Sequence, residues 1–143
     1  MIGQTLSHYH ITDHIMQGAL GEVYPADDTT QNRQVLLKIL STKIRRDANR
    51  IRRIREDVEA AAKLSHPAMA RIYGLEQRVD DTGLSIQFIS MEYIRGQCLA
   101  DRIPAEGLSL PLILAWFFAI SDALVEAHRR NIIHRDIRPP LEP

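Results

Sequence analysis

The stretch Gln34-Val35-Leu36-Leu37-Lys38-Ile39-Leu40 constrains the fold more than any other part of the chain. Its apolar run is too short for an ordinary helix and nearly continuous, so it predicts a strand covered on both faces. Such a strand needs neighbours in a sheet and an element packed on top of it. Lys38 interrupts the run. An ammonium among leucines and isoleucines is costly to bury unless it is paired. A carboxylate from the helix that follows can supply the partner; alternation that turns Lys38 to solvent is the other reading.

The surrounding pattern supplies the rest of such a sheet. Tyr9 to Met16 reads as a first strand, Gly18-Ala19-Leu20-Gly21 as a turn, Glu22 to Ala26 as a second strand and Asp27 to Arg33 as a polar turn. After Leu40 the period changes. Ile44, Ile51, Ile54, Val58 and Ala61 fall on one helical face, while arginines fill the others. The helix is predicted to stop near Leu64, because His66-Pro67 follows. Ile72 to Arg78 and Ser85 to Glu92 read as two more strands joined by Asp80-Asp81-Thr82-Gly83. Gly96 marks a break, Cys98 to Ile103 a short helix, and Ser109 caps a long helix to about Arg130 with Pro111 in its first turn. A brief apolar step, Ile132-Ile133, leads into His134. The order of strands and helices is that of an α+β fold: a small antiparallel sheet, one helix packed on it, then the start of a helical region.

Bulk properties bound the function. The chain has 143 residues, 45% hydrophobic and 25% charged, as expected of an ordinary globular domain. Formal net charge is zero, so bulk electrostatics point to neither nucleic acid nor acidic lipid. The arginines between Lys43 and Arg55 read as a solvated helix face. Cys98 is the only cysteine, which rules out an internal disulfide and fits a reducing compartment. The N-terminus lacks the basic start and apolar run of a secretory signal. Leu110 to Ile120 is an apolar run of eleven residues, against the roughly twenty that span a bilayer, and it predicts a buried helix rather than a membrane segment.

Three clusters carry chemistry. In Ile15-Met16-Gln17-Gly18-Ala19-Leu20-Gly21-Glu22-Val23, two glycines between strands let backbone N–H groups approach phosphate oxygens; a plain hairpin turn has the same composition. Lys38 is the second cluster. In the third, Ile132 to Pro139, an Asp beside a His-Arg pair suits a general base that receives a hydroxyl proton, and Arg138 offsets phosphate charge. Alone, each has a bland alternative. Asp81-Thr82-Gly83 also spells the triplet of an aspartic protease half, but Arg78 and Asp80 flank it where an apolar strand is required, and a hairpin turn accounts for it better.

The order and spacing are more specific. The glycine turn, the strand lysine, a helix ending Leu64-Ser65-His66-Pro67, then Ile89-Ser90-Met91-Glu92-Tyr93-Ile94-Arg95-Gly96, then His134-Arg135-Asp136 together resemble the protein kinase family, specifically bacterial serine/threonine kinases. The resemblance covers almost the whole chain but only the front half of a kinase domain. It implies a kinase-like N-lobe of five antiparallel strands and one helix over residues 1–95, and the first helices of an incomplete C-lobe over 96–143.

The resemblance also implies roles for residues. Gly18, Gly21 and Val23 match the glycine loop, with Ile15 beside it and Met16 where a first glycine stands. Lys38 matches the lysine that holds nucleotide phosphates. Leu36 takes the place of a small residue against adenine. Asp57 matches the helix acid that pairs with the lysine, with Glu56 one place earlier as the alternative. Met91 matches the residue gating the back of the nucleotide pocket; Glu92 and Ile94 belong to the hinge. Asp136 matches the catalytic base, and Arg138 stands where the family carries lysine. Leu141 replaces a metal-binding asparagine, and no Asp-Phe-Gly occurs in the chain; the family's cofactor is ATP with Mg²⁺, yet no metal ligand is assigned here. The expectation is a cytoplasmic kinase-domain fragment that stops inside its catalytic loop, inactive alone. Its partners are protein substrates or regulators, with no nucleic acid and no membrane. The alternative is a pseudokinase-like module. With few later helices to cover Trp116, Phe117, Phe118, Ile120, Leu124 and Val125, the long helix predicts an apolar patch and self-association.

Overall fold

The structure, a computed structural model, describes residues 1–79, 83–134 and 137. The strands are β1 (Thr5–Leu6), β2 (Tyr9–Ile11), β3 (Met16–Gln17), β4 (Gly21–Asp28) and β5 (Arg33–Leu40), followed after two helices by β6 (Ile72–Val79) and β7 (Ser85–Glu92). They form one antiparallel sheet in the order β1-β2-β4-β5-β7-β6, with β3 also on β4. The expected first strand is thus divided: Thr12 leaves the ladder and donates from both N–H and Oγ1 to the Pro25 carbonyl, at 3.0 and 3.1 Å. That division and the short β1 account for seven strands where the sequence pattern suggests five.

Pro25 lies in β4, which is interior to the sheet, flanked by β2 and β3 on one side and β5 on the other. Its missing N–H is nonetheless tolerated there. The N–H and C=O of one strand residue point to the same side, and the Pro25 carbonyl faces Thr12, in the gap between β2 and β3.

The strand period divides β5 between two cores. Val35, Leu37 and Ile39 join Tyr9, Ile11, Ala26 and Phe88 on one face. Leu40 lies on the other with Ile44, Val58 and Ile89. The first face is closed by curling. Tyr9 on β2 and Glu76 on β6 lie toward opposite ends of the strand order, yet the Tyr9 hydroxyl donates to Glu76 Oε1 at 2.6 Å. Ser90 Oγ donates to the same oxygen at 3.0 Å, and the Tyr9 ring meets Phe88 edge-on. Burial, then the Glu76 hydrogen bond and charge, raise the Tyr9 pKa and keep the phenol protonated. At the β4–β5 turn Asp28 is fully buried, accepting from Thr30, Gln31 and Arg33. Burial alone would raise its pKa, but those hydrogen bonds outweigh it and the net shift is downward.

The second face is covered by helix. One helix was expected from Ile44; there are two, α1 (Thr42–Arg45) and α2 (Ala48–Ala61). Asp47 separates them, its backbone extended at φ −100° and ψ 97° and its carboxylate capping Arg50 N–H at 3.0 Å. Val58 is the buried residue of α2, with Ile51 and Ile54 half-buried beside it.

The chain divides into two compact units. One comprises Met1–Ser65 with Ala70–Tyr93; the other comprises His66–Met69 and the residues from Ile94 onward. The second contains α3 (Leu99–Arg102) and α4 (Leu110–Arg129). α4 ends in a Schellman motif: Asn131 has φ +59°, its N–H reaches His128 O, and Ile132 N–H reaches Ala127 O. Ile132 and Ile133 form no strand. The expectation that the apolar run is a buried helix is corrected here. The run lies in a twenty-residue helix whose buried residues are Ala123 and Ala127 alone, and by length and composition this helix is long and apolar enough to cross a membrane.

Candidate active site

The glycine turn is a tight hairpin tip. Gly18 N–H donates to Gly21 O at 2.8 Å and Gly21 N–H returns to Gly18 O at 3.2 Å. Gly21 has φ +145°, and a Cβ there would lie 2.0 Å from the Ile39 carbonyl oxygen, so only glycine fits. Gly18 is different: an added Cβ would make ordinary contacts with Gly21 O and Val23 at 3.4 and 3.5 Å. With both glycine amides occupied, the N–H groups of Ala19 and Leu20 at the tip are those without an acceptor among the described residues. Successive amides of this kind suit an anion. Ile15 and Met16, on the strand leading in, are exposed.

The ladder register assembles the rest of this face. Val23 pairs with Lys38, Pro25 with Leu36, and Met16 with Val23. Across the next ladder Lys38 pairs with Ile89 and Leu36 with Met91. Directly opposed residues share a face, so Val23, Leu36, Lys38 and Met91 lie on one side of the sheet, the side on which α2 packs through Val58, Ile89 and Leu40. Lys38 is half-buried, neither sealed in the core nor turned fully to water. No ion pair joins it to Glu56 or Asp57, both of which lie on the exposed part of α2.

Other expected residues are placed less directly. Glu92 ends β7; its N–H donates to Arg71 O at 2.7 Å and its Oε2 accepts Arg71 N–H at 2.9 Å, which commits both groups to the start of β6. Ile94 is exposed and opens the second unit. His134 is exposed. Asp136, Arg138 and Leu141 lie outside the described residues, so the site described here is the nucleotide-facing part. Among the described residues no group of three His, Cys, Asp or Glu side chains stands together to hold a metal.

Sequence reasoning took His66 only as part of a helix stop. In the structure its Nδ1 accepts Ala68 N–H at 3.1 Å, which leaves the proton on Nε2 for Asp122 Oδ2 at 3.0 Å. The pair ties the His66–Met69 segment to α4 within the second unit. An isolated histidine in a loop and an aspartate fifty-six positions later carry no local signal of this contact.

Comparison with known proteins agrees with this arrangement. The sequence profile of the protein kinase domain matches residues 9–140. The chain is 36% identical over 141 residues to the serine/threonine-protein kinase PrkC of Bacillus subtilis, covering 97% of this chain and 21% of that protein. It is 36% identical over 132 residues to a probable serine/threonine-protein kinase of Streptomyces coelicolor, covering 92% of this chain and 20% of that one. The crystal structure of the Mycobacterium tuberculosis PknI kinase domain superposes with a TM-score of 0.78 at 31% identity, over 97% of this chain and 55% of that domain structure. The chain therefore spans about a fifth of the length of these curated relatives. With the glycine hairpin, the strand lysine and the covering helix in kinase order on a kinase-like fold, the chain belongs to the protein kinase domain family, and its relatives are bacterial serine/threonine kinases.

Proposed function

We propose that this chain is the nucleotide-facing portion of a serine/threonine kinase domain, in a family that transfers the terminal phosphoryl group of ATP to protein hydroxyls. The observation that carries this reading is the shared face of Val23, Leu36, Lys38 and Met91 beside a hairpin tip whose Ala19 and Leu20 amides have no described acceptor. The residues present fit the polyphosphate end of a nucleotide: tip amides for the phosphate oxygens and an ammonium two ladder positions from Gly21. ATP supplies the phosphoryl group when bound. The chain's own side chains would orient it, with Leu36 and Met91 lining the base and Lys38 offsetting phosphate charge. For Mg²⁺ the described residues offer no ligand set, and no step is assigned to it.

Asp136 is the proposed proton acceptor and Arg138 its phosphate-facing companion; Ile15, Gly18, Gly21, Asp57, Glu92 and Ile94 complete the proposed nucleotide site. Phosphoryl transfer needs the lysine pair and a metal-binding aspartate together. Lys38 has no ion pair with Asp57 or Glu56, and the 143 residues contain no Asp-Phe-Gly. We therefore propose that this chain alone does not turn over, and that its location is cytoplasmic. The same absence of a lysine pair favours a second reading, a pseudokinase-like module that binds nucleotide or a regulator without catalysis.

Thermal melting with ATP, with and without Mg²⁺, tests the site. ATP is expected to raise the melting temperature of the chain, and Lys38→Met to remove the rise. No shift under either condition leaves only the interaction role. Phosphotransfer comparable to that of a complete kinase domain contradicts the proposed inactivity.

A further inference from the structure

One guanidinium in the sheet unit is incompletely used. Arg45 ends α1, and its Nη1 donates to the Ser85 carbonyl oxygen at the start of β7. Its Nη2 donates to Oγ1 of Thr42, the first residue of α1, at 3.1 Å. Its Nε is buried and finds no acceptor among the described residues. Nε and Nη2 share one edge of the guanidinium, and such an edge suits two oxygens of a single oxyanion. Thr42 supplies one oxygen to it. A buried donor left unmet costs free energy, so this contact has room for a second acceptor.

The hydroxyl at the other end of the contact is open to reaction, because Thr42 is exposed. Leu40 to Arg46 contains three basic residues, Lys43, Arg45 and Arg46, and no acidic one. A phosphate carrying close to two negative charges would meet attraction there. Asp47, the next acid along the chain, is occupied in capping the Arg50 N–H. Other threonines lack this setting. The Thr29 hydroxyl donates to the His8 carbonyl, and the Thr30 hydroxyl donates to the buried Asp28 carboxylate, which would repel a phosphate.

We propose that Thr42 is a phosphorylation site and that Arg45 is the built-in receptor of its phosphate. Two phosphate oxygens take Nε and Nη2 of Arg45 while Nη1 keeps Ser85, which ties α1 to β7 through one side chain. In the modification, Thr42 Oγ1 forms a bond to the γ-phosphorus of ATP and the bond from that phosphorus to the β-phosphate oxygen breaks. ADP leaves, and the hydroxyl proton passes to the catalytic base of the donating enzyme. That enzyme is a separate, complete serine/threonine kinase domain, so the proposal does not rest on nucleotide binding by this chain. α1 leads through Asp47 into α2, so the tie steadies the approach to the helix that covers the Lys38 face.

The whole chain is incubated with ATP, Mg²⁺ and a complete bacterial serine/threonine kinase domain. It is expected to gain a phosphate that tandem mass spectrometry places on Thr42; Thr42→Ser should still accept one at that position and Thr42→Ala should not. In ¹H–¹⁵N spectra the Arg45 Nε–H resonance is expected to move downfield on phosphorylation, and the melting temperature to rise by about 3 °C. Arg45→Lys keeps the charge without the fork; it should still be phosphorylated at Thr42 but lose most of that rise. If Arg45→Lys perturbs folding, the Nε–H resonance of the parent chain still decides. Three results would each overturn the proposal. One is Thr42 left bare by the kinase. Another is an unmoved Nε–H resonance, as expected if Nε instead meets Gln87 Oε1, also buried without a partner, through water. The third is an equal rise in a folded Arg45→Lys chain.

Discussion

Helices α2 and α4 invert what their compositions suggest. α2 is crowded with arginines, yet it is fastened to the sheet through Val58 with Ile51 and Ile54 beside it. α4 carries eleven consecutive apolar residues, Leu110 to Ile120, yet buries only Ala123 and Ala127; Leu110, Ile113, Phe117, Phe118 and Ile120 are exposed. The difference lies in what each helix faces. The sheet offers α2 a finished apolar surface, Leu40 and Ile89 among it, so a narrow stripe is enough. Among the described residues nothing comparable covers α4. Hydrophobicity sets how much a helix gains from burial, while the burial itself requires a partner surface.

The sharpest way to break that contrast is a pair of phenylalanines. Phe88 is fully buried and Phe118 is 64% exposed. Phe88→Ala is expected to cost about 3–5 kcal/mol in urea unfolding, and Phe118→Ala to stay within about 0.5 kcal/mol. Similar costs for both would mean that α4 is packed after all. The same face predicts self-association: the chain should scatter light as an oligomer at high concentration, and Phe117→Glu with Phe118→Glu should move it toward monomer. A monodisperse monomer before substitution contradicts this.

The glycine hairpin sharpens the comparison within the sheet unit. Gly21→Ala forces a Cβ onto the Ile39 carbonyl and is expected to cost about 1–3 kcal/mol, whereas Gly18→Ala, which meets only ordinary contacts, should be close to neutral in the same unfolding assay. A smaller effect is expected from Tyr9→Phe, about 1 kcal/mol, because Ser90 still donates to Glu76.

Asp28 adds a pH dependence confined to the sheet unit. Its native pKa lies below that of the unfolded chain. Its carboxylate therefore stabilises the fold fully above the ordinary carboxylate value of about 3.9, and this stabilisation is lost as the pH falls through the lowered native value. Acid unfolding of Asp28→Asn should show a shallower loss of stability in that range than the parent chain; an identical acid limb would remove Asp28 from the account.

Much of the architecture is legible in local pattern. Short runs bounded by turn residues locate β4, β5, β6 and β7, Ser109 and Pro111 locate the start of α4, and the glycine spacing locates the hairpin. Local pattern misleads where a side chain redirects the backbone. Asp47 was taken as part of a helix although it caps a new one, and Thr12 was taken as strand although it reaches for the Pro25 carbonyl. The candidate site was legible as a set of residues, because their order along the chain matches the kinase pattern. Whether Lys38 meets an acid was not, since that depends on how far α2 stands from β5.

The sequence by itself determined the succession of elements, the two glycines of the turn and the lysine within an apolar strand, because periodicity and turn chemistry act over a few residues. Only the tertiary structure decided that Val23, Leu36, Lys38 and Met91 share a face, that Tyr9 reaches Glu76 across a curled sheet, and that Pro25 sits inside the sheet opposite a gap. Each of these follows from strand register and sheet closure between segments distant in the chain, where a shift of one residue would turn every side chain to the opposite face.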